Sequence, residues 1–165
     1  MDKITPCLWF DGNAEEAARF YTGIFPNSAM ESVDPAPGDT PSGPKDSVLA
    51  VNFTLAGQSY IALNGGPDFT FNEAISLSID CEDQAEVDRY WTALLADGGE
   101  ESVCGWLKDR FGVSWQVIPR RLPELLRSPD REAAGRALQA MLGMVKIDVG
   151  ELERAARGEA VSSVR

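Results

Sequence analysis

Histidine is absent from the 165 residues of this chain, and with it goes the side chain that most often acts as a base near neutral pH and as a transition-metal ligand. Cysteine is scarce. Cys7, Cys81 and Cys104 are odd in number and no two stand in CxxC spacing, which argues against a disulfide framework or a cysteine zinc site and fits reduced thiols. Long apolar runs are missing, and the opening Met1-Asp2-Lys3-Ile4 lacks a basic segment followed by an apolar one. The expectation is a cytoplasmic protein with no signal peptide and no membrane partner. Positive charge is in the minority: 15 Lys and Arg against 26 Asp and Glu leave a net charge of -11, a field that repels phosphate backbones, so no nucleic acid is expected as a partner. What is present is ordinary. A hydrophobic share of 44% and a charged share of 25% indicate a globular chain, and the length suits one domain or two small modules sharing a core.

Ile4 to Phe10 reads as a strand, and Asn13 with Glu16 three residues later can form a reciprocal capping pair for a helix running to about Phe25. Its apolar stripe, Ala14, Ala17, Ala18, Tyr21, Ile24 and Phe25, must lie on something. A short strand around Ala29 to Val33 meets the proline-rich loop Asp34 to Lys45, and Ser47 to Leu55 and Gln58 to Asn64 alternate around Ala56-Gly57 as a hairpin. Ala74 to Asp80 is again a strand. Asp83 with Glu86 caps a helix carrying Val87, Tyr90, Trp91, Leu94 and Leu95, and Cys104 to Leu107 pairs with Ser114 to Ile118 around Gly112.

The second half repeats the first. Arg19-Phe20-Tyr21 and Glu31-Ser32-Val33 fall on Arg89-Tyr90-Trp91 and Glu101-Ser102-Val103 at one offset, and Leu8 and Asp11 fall on Leu77 and Asp80 at an offset one residue shorter. Each half reads as β-α-β-β, with one further strand in the first. The domain reading is 1–121, with module one about 1–66 and module two about 72–120, followed by a helical extension at 122–165. In that extension Ser128 precedes Pro129 as a cap, Ala134, Ala137, Leu138, Met141, Leu142 and Val145 form a stripe, and Asp148 with Glu151 caps a last helix. The extension is either an accessory packing element or a dimer contact.

Strand parity assigns Ile4, Leu8, Phe10, Ile61, Leu63, Ile75, Leu77, Ile79, Trp115 and Val117 to a helix-covered face. The other face then holds Thr5, Cys7, Trp9, Tyr60, Ala62, Asn64, Ala74, Ser76, Ser78, Ser114 and Gln116, a small, polar set with aromatic walls and no Lys or Glu. That composition suits a semi-polar pocket better than a solvated surface. Pro6 does not fit a central strand, since it removes a ladder donor.

The strings Ile4-Thr5-Pro6-Cys7-Leu8-Trp9-Phe10-Asp11-Gly12-Asn13-Ala14-Glu15-Glu16-Ala17, Ala62-Leu63-Asn64-Gly65-Gly66-Pro67, Cys104-Gly105-Trp106-Leu107-Lys108-Asp109 and Ser114-Trp115-Gln116 resemble the PhnB-like branch of the vicinal oxygen chelate (glyoxalase and bleomycin-resistance) superfamily. The resemblance covers nearly the whole chain. It implies an α+β fold of two paired βαβββ-type modules whose strands curl into a cup, with helices on the outer face and C-terminal helices added. Members of this branch often carry the label demethylubiquinone methyltransferase, but the glycine-rich turn after a first strand that holds methyl donors in doubly wound folds is absent. The superfamily's metal ligands would fall on Thr5, Ala62, Ala74 and Gln116, which include no carboxylate or imidazole, so no metal and no cofactor are expected. Many relatives have His after Gly-Gly-Pro where this chain has Asp68.

The expected ligand-binding set is therefore Thr5, Cys7, Trp9, Asn64, Asp68, Phe71, Trp106 and Gln116. Each has a bland counterpart. Cys7 is a nucleophile or a small packing residue; Asp68 is a general base or a turn residue; Asn64 and Gln116 fix a carbonyl or hydroxyl ligand or satisfy one another; Trp9, Trp106 and Phe71 wall a pocket or fill a core. The functional expectation is metal-independent binding of a small, partly apolar or aromatic metabolite by a homodimer. The alternative is an enzyme, of demethylubiquinone methyltransferase type or a metal-dependent isomerase or dioxygenase. Catalytic residues are not assignable.

Overall fold

The computed structural model describes residues 3–160; Met1-Asp2 and the last five positions of the 122–165 extension lie outside them. The chain divides into two compact units, Met1–Phe71 and Asn72–Arg165. Unit one runs β1 (Cys7–Phe10), α1 (Ala14–Ile24), β2 (Ala29–Pro35), β3 (Val48–Leu55) and β4 (Gln58–Asn64). Unit two runs β5 (Leu77–Cys81), α2 (Gln84–Leu95), β6 (Glu100–Glu101), β7 (Trp106–Lys108) and β8 (Ser114–Pro119), followed by α3 (Arg121–Leu126), α4 (Arg131–Leu142) and α5 (Val149–Ala156). The strand orders are β1-β4-β3-β2 and β5-β8-β7-β6. These are the same topology twice, so the duplication read from the sequence is real, and β6 gives the second half the fourth strand that only the first was expected to have.

In unit one, β1 runs parallel to β4 at the sheet edge, which places Pro6 where its missing donor costs no ladder bond; its carbonyl accepts from the Ile61 N–H at 2.9 Å. The β3–β4 hairpin turns at Ala56-Gly57 with φ of 48° and 84°, the pair of positive values that a two-residue turn matching the strand twist needs. The helix stripe lies on Phe53, Tyr60, Ala62 and Phe10, with the Tyr21 ring stacked on Phe53 at 6.4 Å. Burying side chains of this size stabilises by about 1.5–3 kcal/mol each.

The parity reading of β4 needs correction. Leu8 pairs with Ala62 and Phe10 with Asn64, while Cys7 pairs with Ile61 and Trp9 with Leu63. Tyr60, Ala62 and Asn64 therefore share the helix-covered face with Leu8 and Phe10, and Ile61 and Leu63 share the other face with Cys7 and Trp9. A strand apolar on both faces carries no alternation by which to choose between two registers one residue apart. Ile4 and Ile75, also expected under the helices, precede their strands and are 88% and 79% exposed. In unit two the parity is right: Leu77, Ile79, Trp115 and Val117 face α2, while Ser78 and Gln116 lie opposite.

The caps divide likewise. Asp83 accepts from the Glu86 N–H at 2.9 Å and Asp148 from the Glu151 N–H at 2.7 Å, as the spacing predicts. Asn13 makes no side-chain cap bond, and α4 is capped by Asp130, which accepts from Glu132 and Ala133, not by Ser128.

The C-terminal helices are built into unit two. Leu122, Leu125, Ala137, Met144, Ile147, Leu152 and Ala156 form one core, with Ile118 of β8 packed against it. The backbone N–H groups of Cys104 and Gly105 donate to the carbonyls of Met144 and Val145 at 2.7 and 2.8 Å. The Gln84 side chain adds bonds to the Ile147 carbonyl and the Val149 N–H. Gly105, at φ 80°, has no room for a side chain, since a Cβ would sit 2.9 Å from Ile147 Cγ1. No helix of the described residues is long and apolar enough to cross a membrane.

Candidate functional site

The face of the unit-one sheet opposite α1 carries Cys7 and Trp9 on β1, Ser59, Ile61 and Leu63 on β4, and Ala50, Asn52 and Thr54 on β3. These three strands contribute no ionised side chain to this face. Thr5, Glu31, Asn52, Thr54 and Ser59 line a hollow of 290 Å³ there. Asn52 donates to Ser32 Oγ at 2.9 Å and to Asp34 Oδ2 at 2.8 Å, which fixes its amide with the carbonyl oxygen uncommitted to those bonds. Trp9 is held from two sides: its indole N–H donates to the Gly66 carbonyl at 2.8 Å, and Phe69 meets its ring edge-on at 5.0 Å. Gly65 packs against that ring, where a Cβ would collide with Trp9 Cζ2.

Of the residues expected here, Thr5, Cys7 and Trp9 share this face and Asn64 does not. Asn64 is 4% exposed, and its carbonyl oxygen accepts from the Ala14 N–H at 2.9 Å while its amide donates to the Val48 carbonyl at 2.9 Å. It does the capping expected of Asn13, satisfying a free donor at the start of α1. Phe71 packs edge-on against Phe10 at 5.2 Å, on the helix-covered side. Asp68 stands exposed in the turn after Gly66. Cys7 is exposed by surface area, yet crowding around its sulfur still pushes the thiol above its ordinary range, so the reactive thiolate is disfavoured.

In unit two, Trp106 and Gln116 are cross-strand partners on the face opposite α2. The Gln116 amide donates to Ser76 Oγ at 2.8 Å. Lys108, Ser114 and Glu100 extend the same face, and Lys108 forms an ion pair with Glu73. That contact, through its hydrogen bond first, holds the Glu73 carboxyl below the usual range and the Lys108 amine above it. Period-two spacing on β3 and β7 could have found Asn52, Thr54 and Lys108. Nothing local announced Asp109, which is 3% exposed and accepts from the Trp115 indole at 2.8 Å and from the backbone N–H groups of Phe111 and Val113.

The superfamily's metal does not fit these residues. Ala62 faces α1, its open-face neighbours on β4 are Ile61 and Leu63, and Thr5, Ala74 and Gln116 offer no carboxylate or imidazole. Among the described residues, no group of three or more Cys, Asp or Glu side chains is placed to hold a metal ion.

Residues 2–118 match the family described as 3-demethylubiquinone-9 3-methyltransferase. No curated protein matches the chain. Among solved structures, a PhnB protein from Bacillus cereus is 36% identical, with a TM-score of 0.62 over 70% of this chain and 97% of that one. Protein PA1353 from Pseudomonas aeruginosa is 27% identical, with a TM-score of 0.56 over 70% and 95%. A glyoxylase/bleomycin resistance protein/dioxygenase domain from Frankia sp. EAN1pec is 16% identical, with a TM-score of 0.42 over 70% and 89%. The duplicated βαβββ order and the match over most of its length place one conclusion beyond the fold alone: the chain belongs to the 3-demethylubiquinone-9 3-methyltransferase family, the PhnB-like branch of the vicinal oxygen chelate superfamily.

Proposed function

We propose that the protein binds a small, partly apolar or aromatic metabolite without a metal, on the face of the unit-one sheet opposite α1. The observation that carries this reading is the face itself. Trp9, Ile61 and Leu63 supply apolar surface on this face, and Thr5, Asn52, Thr54 and Ser59, with the Glu31 carboxylate, line the 290 Å³ hollow at its hairpin end. A few placed polar groups amid apolar walls is the composition of a small-molecule site. The family's name suggests methyl transfer, but β1 is followed by Asp11-Gly12-Asn13 and not by a glycine-rich phosphate or methyl-donor turn. Binding is the reading the donor set supports. Thermal shift and calorimetry with para-quinones, aromatic acids and hydrophobic amides test it. Hits weakened by Asn52→Leu and Trp9→Ala support the site; hits indifferent to both overturn it.

The proposal extends to a cytoplasmic homodimer. Leu138, Leu142 and Val145 remain exposed on and just after α4 while Ala134 and Ala137 are buried, so the apolar stripe is divided between the core of unit two and the surface. A second copy carries the same stripe and matches it by two-fold symmetry. Sedimentation decides: a monomer at micromolar concentration, or a dimer unmoved by Leu142→Glu, removes this contact.

A further inference from the structure

Unit two holds a second, smaller hollow that the aromatic-ligand reading does not use. It measures 130 Å³ and is lined by Glu73, Glu100, Glu101, Trp106, Lys108 and Ser114, among others. Ser114 is 2% exposed, and its hydroxyl has no hydrogen-bond partner. A buried hydroxyl with nothing to bond is costly, and such a group points to a missing occupant. Two carboxylates, those of Glu73 and Glu100, face one ammonium here. Lys108 is engaged by Glu73, and Glu101, next to Glu100 on β6, points to the α2-covered face, where it accepts from the Trp91 indole at 2.9 Å. The surplus is negative, so an anion is repelled and a cation is drawn in. The partly exposed Trp106 adds an aromatic surface suited to alkylammonium groups. The volume equals that of about four waters, enough for an ammonium carrying two carbons.

We propose that this hollow binds a small organic ammonium ion, whose N–H groups donate to Ser114 Oγ and the Glu100 carboxylate while its carbon stem lies on Trp106. The site belongs to one module and stands independently of the unit-one reading.

The test is a two-dimensional amide NMR titration of the full chain with ethylammonium chloride, with sodium propionate, 1-propanol and sodium chloride as controls. The expected result is saturable shifts at Glu100, Trp106, Lys108 and Ser114, including the Trp106 indole, with ethylammonium alone. Glu100→Gln should weaken binding about three- to tenfold, and Ser114→Ala about fivefold; Trp9→Ala should leave it unchanged. Propionate shifting the same residues more strongly, shifts no different from sodium chloride, or affinity unaffected by both Glu100→Gln and Ser114→Ala overturns the proposal. No response to any probe assigns the hollow to ordered water and likewise overturns it.

Discussion

Replacing Asn64 by alanine removes both halves of a bridge between β4, the start of α1 and the start of β3. The Ala14 N–H and the Val48 carbonyl each lose a partner at 2.9 Å, and Ala14 is fully buried, so water cannot replace the bond there. Leaving a buried backbone group unpaired costs about 1–3 kcal/mol; with the Val48 end closer to solvent, the sum is about 3 kcal/mol. For a chain of this length that corresponds to a fall in melting temperature of about 6–12 °C. Tryptophan fluorescence in urea reports the loss, since Trp9 sits on the strand paired with β4. The comparison is Gln116→Ala, which forfeits one part-buried side-chain bond to Ser76 and should cost at most about 1 kcal/mol. If Asn64→Ala costs less than Gln116→Ala, or changes ligand affinity while leaving stability intact, the assignment of Asn64 to the helix-covered face is wrong.

Three further outcomes follow from the same geometry. Gly105→Ala places a Cβ 2.9 Å from Ile147 Cγ1 at a φ of 80°; it should cost about 2–3 kcal/mol and raise amide exchange at Cys104 and Met144–Ile147 before the rest of unit two, whereas uniform exchange speaks against this anchor. Asp109→Ala strips three donors of their acceptor, among them the Trp115 indole, and should cost about 3 kcal/mol with a shift in Trp115 emission; unchanged emission contradicts it. The Cys81 thiol is pushed up to about 12 by burial first, then by the charges of Glu86 and Asp80. In native protein iodoacetamide should therefore modify Cys7 and spare Cys81. Because folding favours the neutral thiol, its contribution is intact below the ordinary value of 9.0 and is lost as pH climbs from there toward 12. Cys81→Ala should flatten stability across that interval, and an unchanged slope argues against the assignment.

Some features were legible because their physics is local. The repeated β-α-β order, the Ala56-Gly57 turn and the Asp83 and Asp148 caps depend on residues within a few positions of one another, and each stands where the spacing put it. The absence of histidine was equally decisive, because no folding can create a ligand the chain lacks. Whatever depended on distant partners was not legible. Asn64 reads as a pocket amide until β1 is seen to pair with β4 in a register that turns it toward α1, and Ile61 and Leu63 read as core until the same register turns them away. The tail reads as an appendage until Ile147 meets Gly105 and Ile118. Asp109 and Ser114 are polar residues in a hairpin until burial makes one a threefold acceptor and leaves the other without a bond. The sequence by itself determined the element order apart from β6, the duplication and the lack of any imidazole. Tertiary structure alone decided which face each β4 side chain occupies, since a strand apolar on both sides has no internal preference and takes its register from its neighbours.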